Sequence, residues 1–298
     1  MNKKNTIYRA GTLKRVRRTN AELEQLDQQI IDVLAADHPQ SVRHVFYRMT
    51  DPRLPQPVEK SDKGYRHVQD RCAKLRLTGR LPYSWIADMS RRGYFTHTFS
   101  GAGDFVRRMA SLYRADLWSH ADVQCEVWCE SRSIASVIQD DCNDLAVDLY
   151  PCGGFASLSF MYEAAQSINR SGDSRPLHVF YVGDYDPAGV LIDQNVQKGL
   201  REHLNADIDL VFTRIGINQE QIALYDLPTK PRKAGDVRSQ HVKATVEAEA
   251  LPAHLLREML RSHVEALLPQ GALDTVKIAE KSERDHLRLM AGMFDEGV

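Results

Sequence analysis

The chain has 298 residues, 43% hydrophobic and 27% charged, which suits a water-soluble protein of two domains that each bury a core. No stretch approaches the run of about 18 apolar residues that spans a bilayer. The basic N-terminus lacks the apolar segment of a signal peptide. The expectation is therefore a cytoplasmic protein (nucleoid-associated if bacterial) with no membrane partner.

The net charge of −1 hides an asymmetry. Residues 1–120 hold 22 Lys and Arg against 12 Asp and Glu, a net of +10, and the remaining 178 hold 17 against 28, a net of −11. A basic half suits a polyanion, because Lys and Arg displace the counterions condensed on phosphates. An acidic half suits a divalent cation. Charge that only solvates two surfaces would give the same totals. The five cysteines are odd in number and form no CxxC pair, as expected of reduced thiols. Cys125 and Cys129 lie four apart with no second ligand pair, which argues against zinc.

In chain order, residues 1–18 carry seven Lys and Arg and no acid, the pattern of a basic arm. Thr19 and Glu22 make a capping box for a helix running to about Ala36, with Leu23, Leu26, Ile30, Val33 and Leu34 at helical spacing. Pro39 ends it. Ser41 caps a second helix with Val42, Val45, Phe46 and Met49 on its apolar face. A third is expected over residues 64–78, with Arg66, Arg71, Lys74 and Arg76 outward as candidate DNA contacts, and Gly79 stops it. Residues 81–99 read as a β-wing in which Arg91 and Arg92 add further candidate contacts. Three helices and a wing over residues 19–100 is a winged-helix plan, which presents its third helix to double-stranded DNA. The aromatic patch at Tyr83 and Trp85 reads equally well as a stacking surface or as the wing's own core.

A linking helix is expected over residues 101–120. Strand and helix then alternate: strands at 125–129, 146–150, 177–182 and 208–215, and helices at 131–143, 155–168 and 187–203. That rhythm predicts an α/β domain over residues 121–298 with a Rossmann-like parallel sheet. A basic loop over 226–243, a strand at 245–252 and an amphipathic helix at 253–268 complete it.

Two acidic elements fall at the carboxyl ends of strands, where open parallel sheets bind ligands. Glu130 closes the first strand. Gly183-Asp184-Tyr185-Asp186-Pro187-Ala188-Gly189 closes the third. Residues two apart in extended backbone point the same way, so Asp184 and Asp186 are placed to share one hard cation such as Mg²⁺ (Mn²⁺ substituting), which leaves open positions for phosphate oxygens. An Asp that merely caps the next helix is the bland alternative.

VWCES at 127–131 and VGDYDPAG at 182–189 resemble the two signatures of a TOPRIM domain, the catalytic fold of topoisomerases, bacterial-type primases and several nucleases. The resemblance implies that Glu130 assists proton transfer and that the carboxylates of Asp184 and Asp186, with Glu130, hold Mg²⁺. Pro151-Cys152-Gly153-Gly154-Phe155 stands where that family often has a glycine-containing loop. The DxDPxG form, and EAEALP at 247–252, are similar to the A subunit of topoisomerase VI and the related meiotic break-forming protein. There Glu247 and Glu249 are candidate metal or supporting ligands, with Glu249 standing where that family has Asp. SVRHVFYRM at 41–49 matches the family's Arg-x-x-(Phe/Tyr)-Tyr, which places Tyr47 as nucleophile and Arg43 as its activating cation.

The implied activity is Mg²⁺-dependent DNA strand cleavage through a 5′-phosphotyrosyl link. The implied assembly is a homodimer in which one protomer's tyrosine meets its partner's metal site. The chain has no GxxxxGK[ST] loop, so strand passage would need a separate ATPase subunit. Two other readings stay open. One is a TOPRIM nuclease that cuts DNA with metal-activated water. The other is a non-catalytic winged-helix DNA-binding protein, in which Tyr47 only packs.

Overall fold

A computed structural model describes residues 18–87, 96–154, 156, 158–231, 242 and 244–295. Residues 1–17 of the basic arm, Arg91 and Arg92 lie outside the described residues, as does most of the basic loop.

The head starts with α1 (Asn20–Ala36), and the capping box forms in full: the Thr19 hydroxyl accepts from the Glu22 amide, and the Glu22 carboxylate accepts from the Thr19 amide. Ser41 caps α2 (Val42–Met49), and Ser61 caps α3 (Asp62–Leu77), two residues earlier than the sequence suggests. Gly79 closes α3 at φ +72°, a backbone state that glycine adopts without steric cost. In the stretch expected to form a wing, the described residues show only a single 3₁₀ turn at Tyr83–Trp85 and a bridge from Ile86 to Gln40.

The linking helix is shorter than expected: α4 spans Ala102–Leu112. Beyond it, β1 (Gln124–Cys129), α5 (Arg132–Asp144), β2 (Asp148–Pro151), α6 (Leu158–Ser171), β3 (Leu177–Val182), α7 (Gly189–His203) and β4 (Leu210–Gly216) alternate as predicted. The four strands are all parallel, in the order β2-β1-β3-β4. β2 begins later than expected because Ala146 takes φ +50° as the chain leaves α5. After a short α8 (Gln219–Leu224), β5 (Lys230–Pro231) pairs antiparallel with β6 (Ala244–Thr245). The strand expected over 245–252 is confined to its first residue. The rest bends into a 3₁₀ turn at Ala248–Ala250 that buries both alanines and Leu251, and Pro252 starts α9 (Ala253–Glu265). The chain ends its described part in α10 (Ala272–Asp295), which packs along α4.

Alternation along the strands sends Val127, Cys129, Phe180 and Val182 to one face of the sheet, and Trp128, Val179 and Tyr181 to the other, where α6 and α7 cover them. The first face packs with α5 and α9 in an apolar cluster that continues into Leu26, Ile30 and Phe46 of the head. Polar clamps reinforce that junction. Arg257 of α9 pairs with Asp37 and donates to the Pro39 carbonyl, and Lys60 donates to the Pro228 carbonyl at 2.7 Å. Head and sheet are thus packed on each other, which fixes the head's side chains relative to the strand ends. Among the described residues, no helix is long and apolar enough to cross a membrane.

Candidate functional site

The strand order places the reversal of winding between β1 and β3, the position at which doubly wound sheets open a crevice beyond their carboxyl ends. β1 and β3 end flush, Cys129 opposite Val182. Their next residues are tied together: the Glu130 amide donates to the Val182 carbonyl at 2.9 Å, and the Asp184 amide donates to Glu130 Oε2 at 2.9 Å.

A third strand end crosses this crevice. Tyr185 and Val246 exchange both backbone hydrogen bonds, at 2.8 and 2.9 Å, in an antiparallel bridge. The bridge lays Glu247 and Glu249 over Glu130 and Asp184, and the Ala248 amide donates to Asp184 Oδ1 at 2.8 Å. Burial raises the pKa of Asp184 well above the usual carboxylate range, with Glu130 and Glu249 adding to it. Glu130 and Glu249 also shift upward, each mainly through burial. Like charges without enough counter-charge account for part of all three shifts.

Asp186 is placed differently. Its Oδ1 accepts from the Ala188 and Gly189 amides at 2.8 and 2.6 Å, so it caps the start of α7. The two aspartates of the DxD motif are therefore held by different partners. Among the described residues, no three His, Cys, Asp or Glu side chains converge to enclose one ion. The carboxylates of Glu130, Asp184 and Glu249 nevertheless fit a hard divalent cation in kind: oxygen donors, partly buried, mutually repelling and facing one crevice.

The head supplies the other wall. Arg43 forms an ion pair with Glu247, whose second oxygen accepts from Lys230 Nζ at 2.8 Å. These cations hold the Glu247 carboxyl below its ordinary pKa against the opposing effect of burial. Tyr47 is buried, 4% exposed, with its hydroxyl near enough to Glu247 to feel that charge. Burial is the largest influence on that hydroxyl and raises its pKa; Glu247 raises it further, and Arg43 opposes both. Tyr47, Arg43 and the acidic crevice thus meet within one chain.

Of the candidate DNA contacts on α3, Arg66 and Lys74 are exposed. Arg71 is not: its guanidinium makes a two-pronged pair with Asp27 of α1, itself 3% exposed, and so braces the head. Arg76 lies with its guanidinium 4.4 Å from the Tyr83 ring.

Two site residues escaped the sequence reading. Arg214, on β4, donates to the Gly183 and Asp184 carbonyls and pairs with Asp193 of α7 at 2.6 Å, clamping the loop that carries Asp184. Lys230 lay inside what read as a plain basic loop. Neither stands in a motif, and only the fold brings them to the crevice. Compared with known proteins, the chain matches no family model, no curated protein and no solved structure.

Proposed function

We propose that this protein cuts DNA strands at the crevice between β1 and β3, using a divalent metal, Mg²⁺ by preference. One observation carries the reading: Glu130, Asp184, Glu247 and Glu249 gather at the sheet's switch point, and Tyr47 and Arg43 of a basic head reach the same place. Glu130, Asp184 and Glu249 are the residues that would hold the metal, with Asp186 ordering the loop beneath. When bound, the metal neutralises charge that builds on the phosphoryl oxygens.

The residues of the chain supply the rest. Tyr47 sits beside an ionised Glu247, which Arg43 and Lys230 orient, the order of nucleophile, base and orienter used in covalent catalysis. The phenol oxygen attacks phosphorus while Glu247 accepts its proton. The bond to the 3′-oxygen breaks, and that oxygen recovers, through solvent, the proton that Glu247 accepted. The products are a 5′-phosphotyrosyl link and a free 3′-hydroxyl. This is chemistry similar to that of the topoisomerase VI A subunit, with a TOPRIM domain behind a winged-helix head, double-stranded DNA as substrate, a homodimer as the working form and a separate ATPase subunit where strands are passed.

The burial of Tyr47 favours a second reading, a TOPRIM-type nuclease. A tyrosine 4% exposed whose hydroxyl has a raised pKa is a poor nucleophile, and water attacking at the same carboxylates would need no movement of the head. End-labelled duplex DNA with Mg²⁺, quenched in denaturant and run with and without protease, separates the two. Label that migrates with protein and is lost in Tyr47→Phe and Asp184→Ala establishes transesterification. Free broken DNA that survives Tyr47→Phe but not Asp184→Ala establishes hydrolysis. Absence of cleavage under every metal tried would remove both.

A further inference from the structure

Between α2 and α3 of the head and the first turn of α5 lies a cavity of about 430 Å³. Three guanidinium-bearing residues line it, Arg43, Arg76 and Arg132, one from each helix, and no Asp or Glu does. That is a local concentration of positive charge where the basic head meets the acidic domain. Arg76 Nε is buried without an acceptor. Val42, Ile86 and Ala87 add apolar surface to the lining, and the Tyr65 ring stands 5.1 Å from the Arg43 guanidinium.

The cavity opens beside the acidic crevice. Arg43 lines it and pairs with Glu247, while Ser133, also in the lining, stands next to Glu249. An anion that reaches Arg43 and Arg132 therefore lies next to whatever occupies the carboxylate site. The volume is that of a small-ligand pocket and is too small for a base pair. Cations beside apolar and aromatic surface match a nucleotide, whose phosphate and base need different partners.

We propose that this cavity receives one unstacked nucleotide of the DNA strand, adjacent to the phosphodiester being cut, with its phosphate on Arg43 and Arg132 and its base against Tyr65 and the apolar lining. The proposal rests on the DNA-cleavage reading and adds a substrate class to it: strands with a nucleotide free to leave the stack. Extrusion costs least where the nucleotide is already unpaired, so such DNA is preferred.

The test is calorimetric binding of thymidine 5′-monophosphate to the full chain without metal, beside inorganic phosphate and thymidine. The nucleotide is expected to bind, with each fragment weaker by about tenfold or more. Arg132→Ala removes one exposed cation and Ala73→Trp fills the cavity from the exposed side of α3; each is expected to weaken the nucleotide by about tenfold without lowering the melting temperature. A duplex with one unpaired thymidine should bind wild type more tightly than a paired duplex, and Ala73→Trp should abolish the difference. Nucleotide affinity unchanged in both variants, or no preference for the unpaired duplex, overturns the proposal. Because no arm reads cleavage, nucleotide binding in a chain that never cuts DNA would support the cavity and remove the cutting, and cutting without nucleotide binding would do the reverse.

Discussion

Gly189 offers the sharpest test of how the crevice is built. It opens α7, and a Cβ placed on it would lie 2.2 Å from the Asp184 carbonyl oxygen and 3.3 Å from Glu130 Oε2. Side-chain carbons essentially never come closer than 3.0 Å to such atoms, so Gly189→Ala must open this contact by about 0.8 Å. The obstacle is backbone, held from the other side by Arg214, so relief comes only by moving the Asp184 peptide or the start of α7. Overpacking of this kind costs roughly 1–3 kcal/mol, a fall in Tm of roughly 2–12 °C for a chain of this size. The larger effect falls on chemistry, since misplacing a reacting group by about 1 Å costs on the order of 100-fold in rate. The control is Gly199→Ala, farther along α7, where the added carbon meets Met161 Sδ at the same 2.2 Å. A thioether can rotate away, and the site lies elsewhere, so Gly199→Ala should keep its cleavage rate. Thermal melts and Mg²⁺-dependent nicking of labelled duplex read both variants. Equal cleavage by Gly189→Ala and wild type would refute the claim that the α7 start positions Asp184.

Three further predictions follow from charges outside the nucleophile question. Glu126 is buried on β1, where burial raises its pKa from 4.5 to about 7 and Trp128 Nε1 donates to it at 2.8 Å. Its neutral form is the folded one, so the stability it contributes is complete below pH 4.5 and is lost as pH rises through 7, amounting to roughly 3 kcal/mol. Glu126→Gln should therefore raise Tm at pH 8 and change it little at pH 4; a gain equal at both would contradict this. Arg214→Gln leaves Asp193 without its partner, and urea melts should show a loss of roughly 3 kcal/mol together with reduced cleavage. On α3, Arg71→Ala should cost stability by roughly 3 kcal/mol through Asp27. Lys74→Ala should leave the melt unchanged and flatten the salt dependence of DNA binding by about one unit of slope.

What was legible in the sequence followed from local physics. The four strands are short apolar runs bounded by turn residues, and their alternation with amphipathic helices left little choice but a parallel sheet. Caps at Thr19 and Ser41 fixed two helix starts to within a residue. Glu130 and Asp184 were readable because each sits at a strand end within a short motif. Misreadings arose where tertiary contacts override pattern. The segment 245–252 has strand-like alternation, yet burying Ala248, Ala250 and Leu251 under the crevice bends it into a turn. Arg71 looked like a DNA contact because helical spacing places it outward with Lys74, and only the packing of α1 reveals Asp27 beneath it. Whether Asp186 shares an ion or caps a helix was undecidable from spacing, since both uses want an Asp at that position.

The Tyr47–Glu247 contact frames the remaining mechanistic choice. Arg43 and Glu247 are separated by 204 positions, so no local signal predicts their pairing. The pairing seals Tyr47 inside the junction of head and sheet. A tyrosine that serves a partner's metal site must leave that seal, breaking the Arg43–Glu247 pair. A tyrosine that serves its own chain needs only space for a phosphate between itself and Asp184. Mixed dimers distinguish these routes. If Tyr47→Phe and Asp184→Ala chains, each inactive alone, regain covalent cleavage when mixed, the head works across the dimer and the sealed state is a resting one. If mixing restores nothing while both chains still dimerise, the catalytic tyrosine and the carboxylates belong to the same chain, as the proximity of Tyr47 to Glu247 favours.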